Sequence, residues 1–172
     1  MRQLSSPHCD ERPEGETISL LVIHNISLPP GQFGGEDVEQ LFMGTLDCDR
    51  HPFYAQLRGL RVSSHLFIRR DGDVLQFVPY QMRAWHAGVS RMQGRERCND
   101  FSIGIELEGT DHQPYTDAQY LALAAVSRDI MRRFPAITLG RIVGHNDIAP
   151  GRKTDPGPAF DWPRFRQLLS RE

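Results

Sequence analysis

The residues of this sequence best suited to chemistry are its histidines, a few carboxylates and a single lysine. The histidines are His8, His24, His51, His65, His86, His112 and His145. A lone histidine is usually structural, but His24 and His145 each follow an apolar run of strand length, over 18–23 and 137–143. A sheet can present side chains in such positions rigidly along one rim. His145 also opens the most unusual segment of the chain, 144–158, in which three prolines and three glycines fall within 15 residues. No helix or central strand can run through that composition. The prolines restrict it, so it reads either as a shaped functional loop or as a stiff surface connector. Asp155 precedes a proline, which biases its backbone to extended geometry. Two imidazoles and one carboxylate would leave the fourth tetrahedral position open, as a hydrolytic metal site requires. Spacing alone does not establish this. His24 and His145 are far apart in the chain, and the self-contained H-E-x-x-H signal is absent.

Lys153 is the only lysine; every other basic side chain is arginine. That suggests a compact point charge which the planar fork of arginine cannot replace. Glu106 is the candidate acid and base. Residues 102–108 alternate, with Ile103, Ile105 and Leu107 on one face and Gly104, Glu106 and Glu108 on the other. Gly104 leaves room for a ligand or backbone to approach. The competing reading is an ordinary solvated polar face.

The elements that must hold these groups are legible in outline. Residues 1–16 read as an irregular lead-in, followed by one domain over 17–172. Short helices are expected over 36–43 and 52–60. Two apolar runs, 62–69 and 74–78, flank Asp71-Gly72, a hairpin signal. Residues 116–134 form the strongest helix: Thr116 and Gln119 make a capping box, and Tyr120, Leu123, Ala124, Ser127, Ile130, Met131 and Phe134 share one face. Asp161 can cap a final helix carrying Phe165, Leu168 and Leu169. Strands interleave with helices, and one tight hairpin requires an antiparallel pair. The fold class is therefore α/β (α+β), a single domain with a central mixed β-sheet flanked by helices.

With 172 residues the chain can bury a core without staples. A formal charge of −2 argues against a nucleic-acid partner, although Arg69-Arg70 and Arg132-Arg133 are locally basic. No apolar run reaches the ~18 residues that span a bilayer. The first 16 residues lack the apolar stretch of a secretory signal, and Cys9, Cys48 and Cys98 show no metal-type pairing. A cytoplasmic protein that needs no membrane is expected.

Several runs together resemble one family. They are Leu21-Val22-Ile23-His24-Asn25, Ile68-Arg69-Arg70-Asp71-Gly72, Ala84-Trp85-His86-Ala87-Gly88, the run from Asn99 through Glu106, and the 144–158 segment. The chain is similar, over residues 6–170, to the zinc N-acetylmuramoyl-L-alanine amidases, which include phage T7-type lysozymes and peptidoglycan recognition proteins. The resemblance implies one zinc ion held by His24, His145 and Asp155. Many relatives use cysteine as the third ligand, and Asp155 places this chain in the branch that uses aspartate. It further implies Glu106 as catalytic acid and base, and Lys153 as the group that stabilises the oxyanion.

The implied substrate is a small molecule, an anhydromuropeptide. The bond cut would be the amide between the lactyl group of 1,6-anhydro-N-acetylmuramic acid and L-alanine, in peptidoglycan recycling. Arg61 and Arg97 are the chosen partners of the stem-peptide carboxylates. Asn25, His65, Trp85 and His86 are further candidate substrate contacts. A monomer is expected. The alternative is a module that binds muropeptide without cutting it; relatives of that kind lack the metal ligands.

Overall fold

Leu20-Leu21-Val22-Ile23 is apolar at every position, the pattern of a strand buried on both faces. In the computed structural model, which describes residues 1–171, this run lies in the interior of the molecule. The strands are β1 (Arg2–Gln3), β2 (Cys9–Glu11), β3 (Leu20–Ile26), β4 (Leu66–Ile68), β5 (Val74–Gln76), β6 (Met82–Ala84), β7 (Arg91–Met92), β8 (Arg95–Glu96), β9 (Ser102–Glu108) and β10 (Ile142–Gly144). The helices are α1 (Asp37–Met43), α2 (Asp117–Arg133), α3 (His145–Ile148) and α4 (Trp162–Leu169).

Six strands form one mixed sheet in the order β1-β5-β4-β9-β3-β10. β3 is parallel to both its neighbours, β9 and β10, and β4 is parallel to β9. The Asp71-Gly72 turn joins β4 to its antiparallel partner β5, as the hairpin signal predicts. The carboxyl ends of β3, β9 and β10 therefore share one rim. In open α/β sheets that rim is where ligands bind.

Alternation divides the sheet into two faces. Leu21, Ile23, Ile103, Ile105 and Leu107 pack with α2 and α4 through Leu123, Ile130 and Phe165. The other face carries Leu20 and Val22, covered by Ala87, Phe101 and Ile148. It also carries Gly104, Glu106 and Glu108. That face is not solvated as a free alternating strand would be, because β9 is buried along its whole length. Glu108 accepts the backbone N–H groups of Gly34 and Arg70, both at 3.0 Å, and pairs with Arg69.

The caps act as read from sequence. Thr116 and Gln119 form the reciprocal capping box of α2, and the Asp161 carboxylate accepts the Arg164 N–H to start α4. Two strands are shorter than expected. Residues 139–141 turn as a 3₁₀ segment, so only Ile142–Gly144 reaches the sheet. Ahead of β4, the ring Nδ1 of His65 accepts the Gly104 N–H at 3.0 Å while the His65 N–H donates to Gly104 O at 3.1 Å. A side chain thus takes the place of a backbone acceptor there.

Residues 1–16, expected to be irregular, contain two short strands. β1 extends the main sheet and β2 pairs with β6. Arg12 donates to the carbonyl oxygens of Tyr80, Asn99, Asp100 and Ser102 at 2.8–3.1 Å. Carbonyls left free by irregular backbone need such a partner when they are buried. Burial lowers the guanidinium to about 10.

Candidate active site

β3 delivers His24 to the rim, and the register with β9 places it opposite Glu106. β10 runs directly into α3, whose first residue is His145; the Asp147 carboxylate accepts the Gly144 N–H at this junction. The 144–158 segment folds back so that the Asn146 N–H donates to Asp155 O at 3.0 Å. Gly144 permits this approach: a Cβ there would lie 2.8 Å from Pro156 Cδ.

His24 Nδ1 lies 2.9 Å from His145 Nδ1 and 3.2 Å from Asp155 Oδ2, and His145 Nδ1 lies 3.3 Å from Asp155 Oδ1. Donors ~2.0–2.2 Å from one tetrahedral ion stand about 3.3 Å apart, so the three fit a single metal ion. The outer ring nitrogens are already engaged. His145 Nε2 donates to Ala87 O at 3.0 Å, and His24 Nε2 meets His86 Nδ1 at 2.8 Å. His86 in turn meets Ser102 Oγ at 3.0 Å. A carbonyl can only accept, so the proton of neutral His145 sits on Nε2 and its Nδ1 lone pair faces the cluster. Gly104 makes room for the His86 ring, which a Cβ would meet at 2.5 Å.

Burial drives the His24 imidazolium down to about 4, favouring the neutral ring that ligates metals. Burial pushes the Asp155 carboxyl up, but its contacts with the His145 and His24 rings outweigh it and hold the group well below the usual carboxylate range. Glu106 moves the other way, raised by burial and by the Asp155 charge against a counteracting Lys153. Its Oε1 lies 3.9 Å from His24 Nδ1, and its buried Oε2 has no hydrogen-bond partner within the protein. A buried carboxylate oxygen without a partner is costly unless something in the cleft uses it.

The cluster opens into a cleft of about 630 Å³. Its lining is polar in part, with Glu106, Lys153, Thr154 and Asp111, and apolar in part, with Leu28, Leu41, Phe53, Leu57 and Trp85. Among the candidate substrate contacts, Asn25, Trp85 and His86 line this cleft. Asn25, however, spends its amide on Asp111 and Tyr115, and Trp85 donates its indole N–H to Asp10. His65 is fully buried and bonded to Gly104, so it does not face the cleft. Arg61 lines an adjoining depression with His8 and Cys48 that shares Leu41, Leu57 and Leu60 with the cleft, and Arg97 lines a hollow of about 570 Å³ beside Gly88 and Ile148. Arg152 borders both that hollow and the main cleft. Sequence reading missed Arg152 and Thr154, although both lie in the 144–158 segment, and missed Asp111, which carries no local signal.

A mixed sheet whose rim carries two imidazoles, a carboxylate and a glutamate with one unpartnered oxygen defines a hydrolase-type centre able to hold one metal ion. Residues 14–158 match the family described as N-acetylmuramoyl-L-alanine amidase, and the chain belongs to that family. It is 63% identical over 171 residues to the 1,6-anhydro-N-acetylmuramyl-L-alanine amidase AmpD of Escherichia coli (strain K12), covering 99% of this chain and 93% of that one. The crystal structure of a selenomethionine AmpD derivative superposes with a TM-score of 0.96 at 62% identity, covering 98% of this chain and 94% of that one. The E. coli amidase AmiD matches with a TM-score of 0.66 at 32% identity, covering 92% of this chain and 60% of that one; it was solved in complex with anhydro-N-acetylmuramic acid-L-Ala-D-gamma-Glu-L-Lys. Among the described residues, no helix is long and apolar enough to cross a membrane.

Proposed function

We propose that this amidase cleaves the amide between the lactyl group of 1,6-anhydro-N-acetylmuramic acid and the L-alanine of the stem peptide, using one zinc ion held by His24, His145 and Asp155. The observation that carries this reading is the convergence of three metal donors beside a buried glutamate with a free oxygen. A zinc ion held by these three residues would supply Lewis acidity, enough to make water a nucleophile near neutral pH and to polarise the scissile carbonyl.

The protein's own groups divide the remaining work. Glu106 Oε2 accepts the proton of the attacking water and returns it to the leaving amine of L-alanine. Lys153 offers an ammonium to the oxyanion of the tetrahedral intermediate. His86 and Ala87 hold the two imidazoles in the tautomer that presents Nδ1. Trp85 on the cleft wall offers an aromatic face to the sugar, and the polar side chains of the lining offer partners to the peptide. The close relatives' names support the anhydro sugar as substrate. We further propose that the protein acts as a cytoplasmic monomer in peptidoglycan recycling.

Incubation with an anhydromuropeptide, followed by mass spectrometry, tests the assignment. Free stem peptide and 1,6-anhydro-N-acetylmuramic acid are the expected products. Cleavage within the peptide, with the sugar–alanine bond intact, would refute it.

A further inference from the structure

The loop that carries Lys153 and Asp155 is tied to the rest of the site by one carboxylate. Asp111 lies on the connection between β9 and α2. Its Oδ1 accepts from Asn25 Nδ2 at 2.8 Å and its Oδ2 from Thr154 Oγ1 at 2.5 Å. Asn25 directly follows His24, and its backbone N–H points at Asp155 Oδ2, 3.4 Å away. Thr154 stands between Lys153 and Asp155. A single side chain therefore joins the strand bearing one metal donor to the loop bearing another donor and the lysine.

The surrounding contacts are built around the same residue. The Ala159 N–H donates to Asp111 O at 3.0 Å. Gly157, at φ +80°, brings the loop so close that a Cβ would lie 2.3 Å from Asp111 Cα. Tyr115 OH donates to Pro156 O at 2.7 Å, and Asn25 Nδ2 lies 3.0 Å from Tyr115 OH and 3.2 Å from Pro156 O. Asp111 is not among the converging metal donors.

We propose that Asp111, through Asn25 and Thr154, is a positioning residue that sets the separation of His24 from Lys153 and Asp155, and thereby the affinity and alignment of the metal site. The proposal rests on the zinc reading above. Outer partners of metal ligands commonly contribute 10–100-fold in metal affinity, because a donor free to wander must be ordered again each time the ion binds. Asp111 also lines the cleft, so the rival role is direct contact with substrate.

The test is competition for Zn²⁺ against a chromophoric chelator, alongside steady-state kinetics at saturating zinc. Asp111→Ala should weaken Zn²⁺ binding about 10–100-fold and lower kcat with KM little changed. Asp111→Asn should recover most of both, since its oxygen can accept from Asn25 while its amide donates to the Thr154 hydroxyl. Thr154→Val should reproduce the loss in milder form, and Thr154→Ser, which keeps the hydroxyl, should recover most of the Zn²⁺ affinity. Thr154→Val keeps the test decisive if Asp111→Ala fails to fold. Unchanged Zn²⁺ affinity in both Asp111→Ala and Thr154→Val would overturn the proposal, as would a raised KM at wild-type Zn²⁺ affinity. Failure of the wild-type protein itself to bind Zn²⁺ would overturn the zinc reading first, and this proposal with it.

Discussion

His24 and Glu106 stand opposite each other on adjacent parallel strands, with His24 Nδ1 3.9 Å from Glu106 Oε1. One residue of register thus couples a candidate metal donor to the candidate acid and base. A one-residue slip would turn Glu106 to the α2 face and dismantle the pair.

Glu106→Gln is expected to keep fold and metal but lose about 10²–10⁴-fold in turnover, because an amide cannot accept and return a proton. Glu108→Gln should show the opposite balance. Its carboxylate secures Gly34, Arg69 and Arg70, so its loss should cost roughly 1–3 kcal/mol of stability with a small effect on turnover. Urea midpoints and kcat measured on both variants decide this. An equal or larger loss of turnover at Glu108 would reverse the assignment.

Lys153→Arg should turn over poorly although its charge is retained. An ammonium can meet a single oxygen end-on, whereas a guanidinium is broader and prefers two acceptors. The Lys153 N–H is fixed to Ala149 O at 2.9 Å, which limits retreat of the loop. Lys153→Ala should lose ~10²–10³-fold, the usual cost of an oxyanion donor, and the Arg variant somewhat less. Rates at matched zinc occupancy are the measurement; wild-type turnover in the Ala variant would remove Lys153 from the mechanism.

Metal removal should abolish activity reversibly. After exhaustive dialysis against a chelator the protein should remain folded, since its three apolar clusters do not depend on the ion. Added zinc should restore hydrolysis at one ion per chain by metal analysis. Activity in metal-free protein would refute the hydrolytic centre.

Acid stability should report on His65. Burial lowers its pKa in the folded protein to about 3, against an ordinary value of 6.5. Between these values the unfolded chain binds a proton that the folded protein does not, so stability falls as pH drops from 6.5 toward 3 and is fully present above 6.5. His65→Asn should flatten the dependence of unfolding free energy on pH in that window by up to one proton, about 1.4 kcal/mol per pH unit. An unchanged slope would show that His65 does not titrate with folding.

Much of this was determined by the sequence alone, because its signals are local. The capping box of Thr116 and Gln119, the Asp161 cap, the Asp71-Gly72 turn and the alternation of 102–108 each rest on residues close in the chain, and each forms where those residues place it. His24, His145 and Asp155 were identifiable as candidates from strand ends and proline stiffening. Their convergence was not, since it requires β3 and β10 to be parallel neighbours and the 144–158 segment to fold back over both. Only tertiary structure could assign the remaining polar residues. His65 looks like a candidate contact in sequence, yet it completes the sheet at Gly104. Gly104 looks like space for a ligand, yet it holds the His86 ring. Arg61 and Arg97 flank motif segments but line adjoining hollows, whereas Asp111, unmarked in sequence, joins Asn25 to Thr154. A polar side chain takes its role from the partners that packing brings to it, and those partners lie tens of residues away.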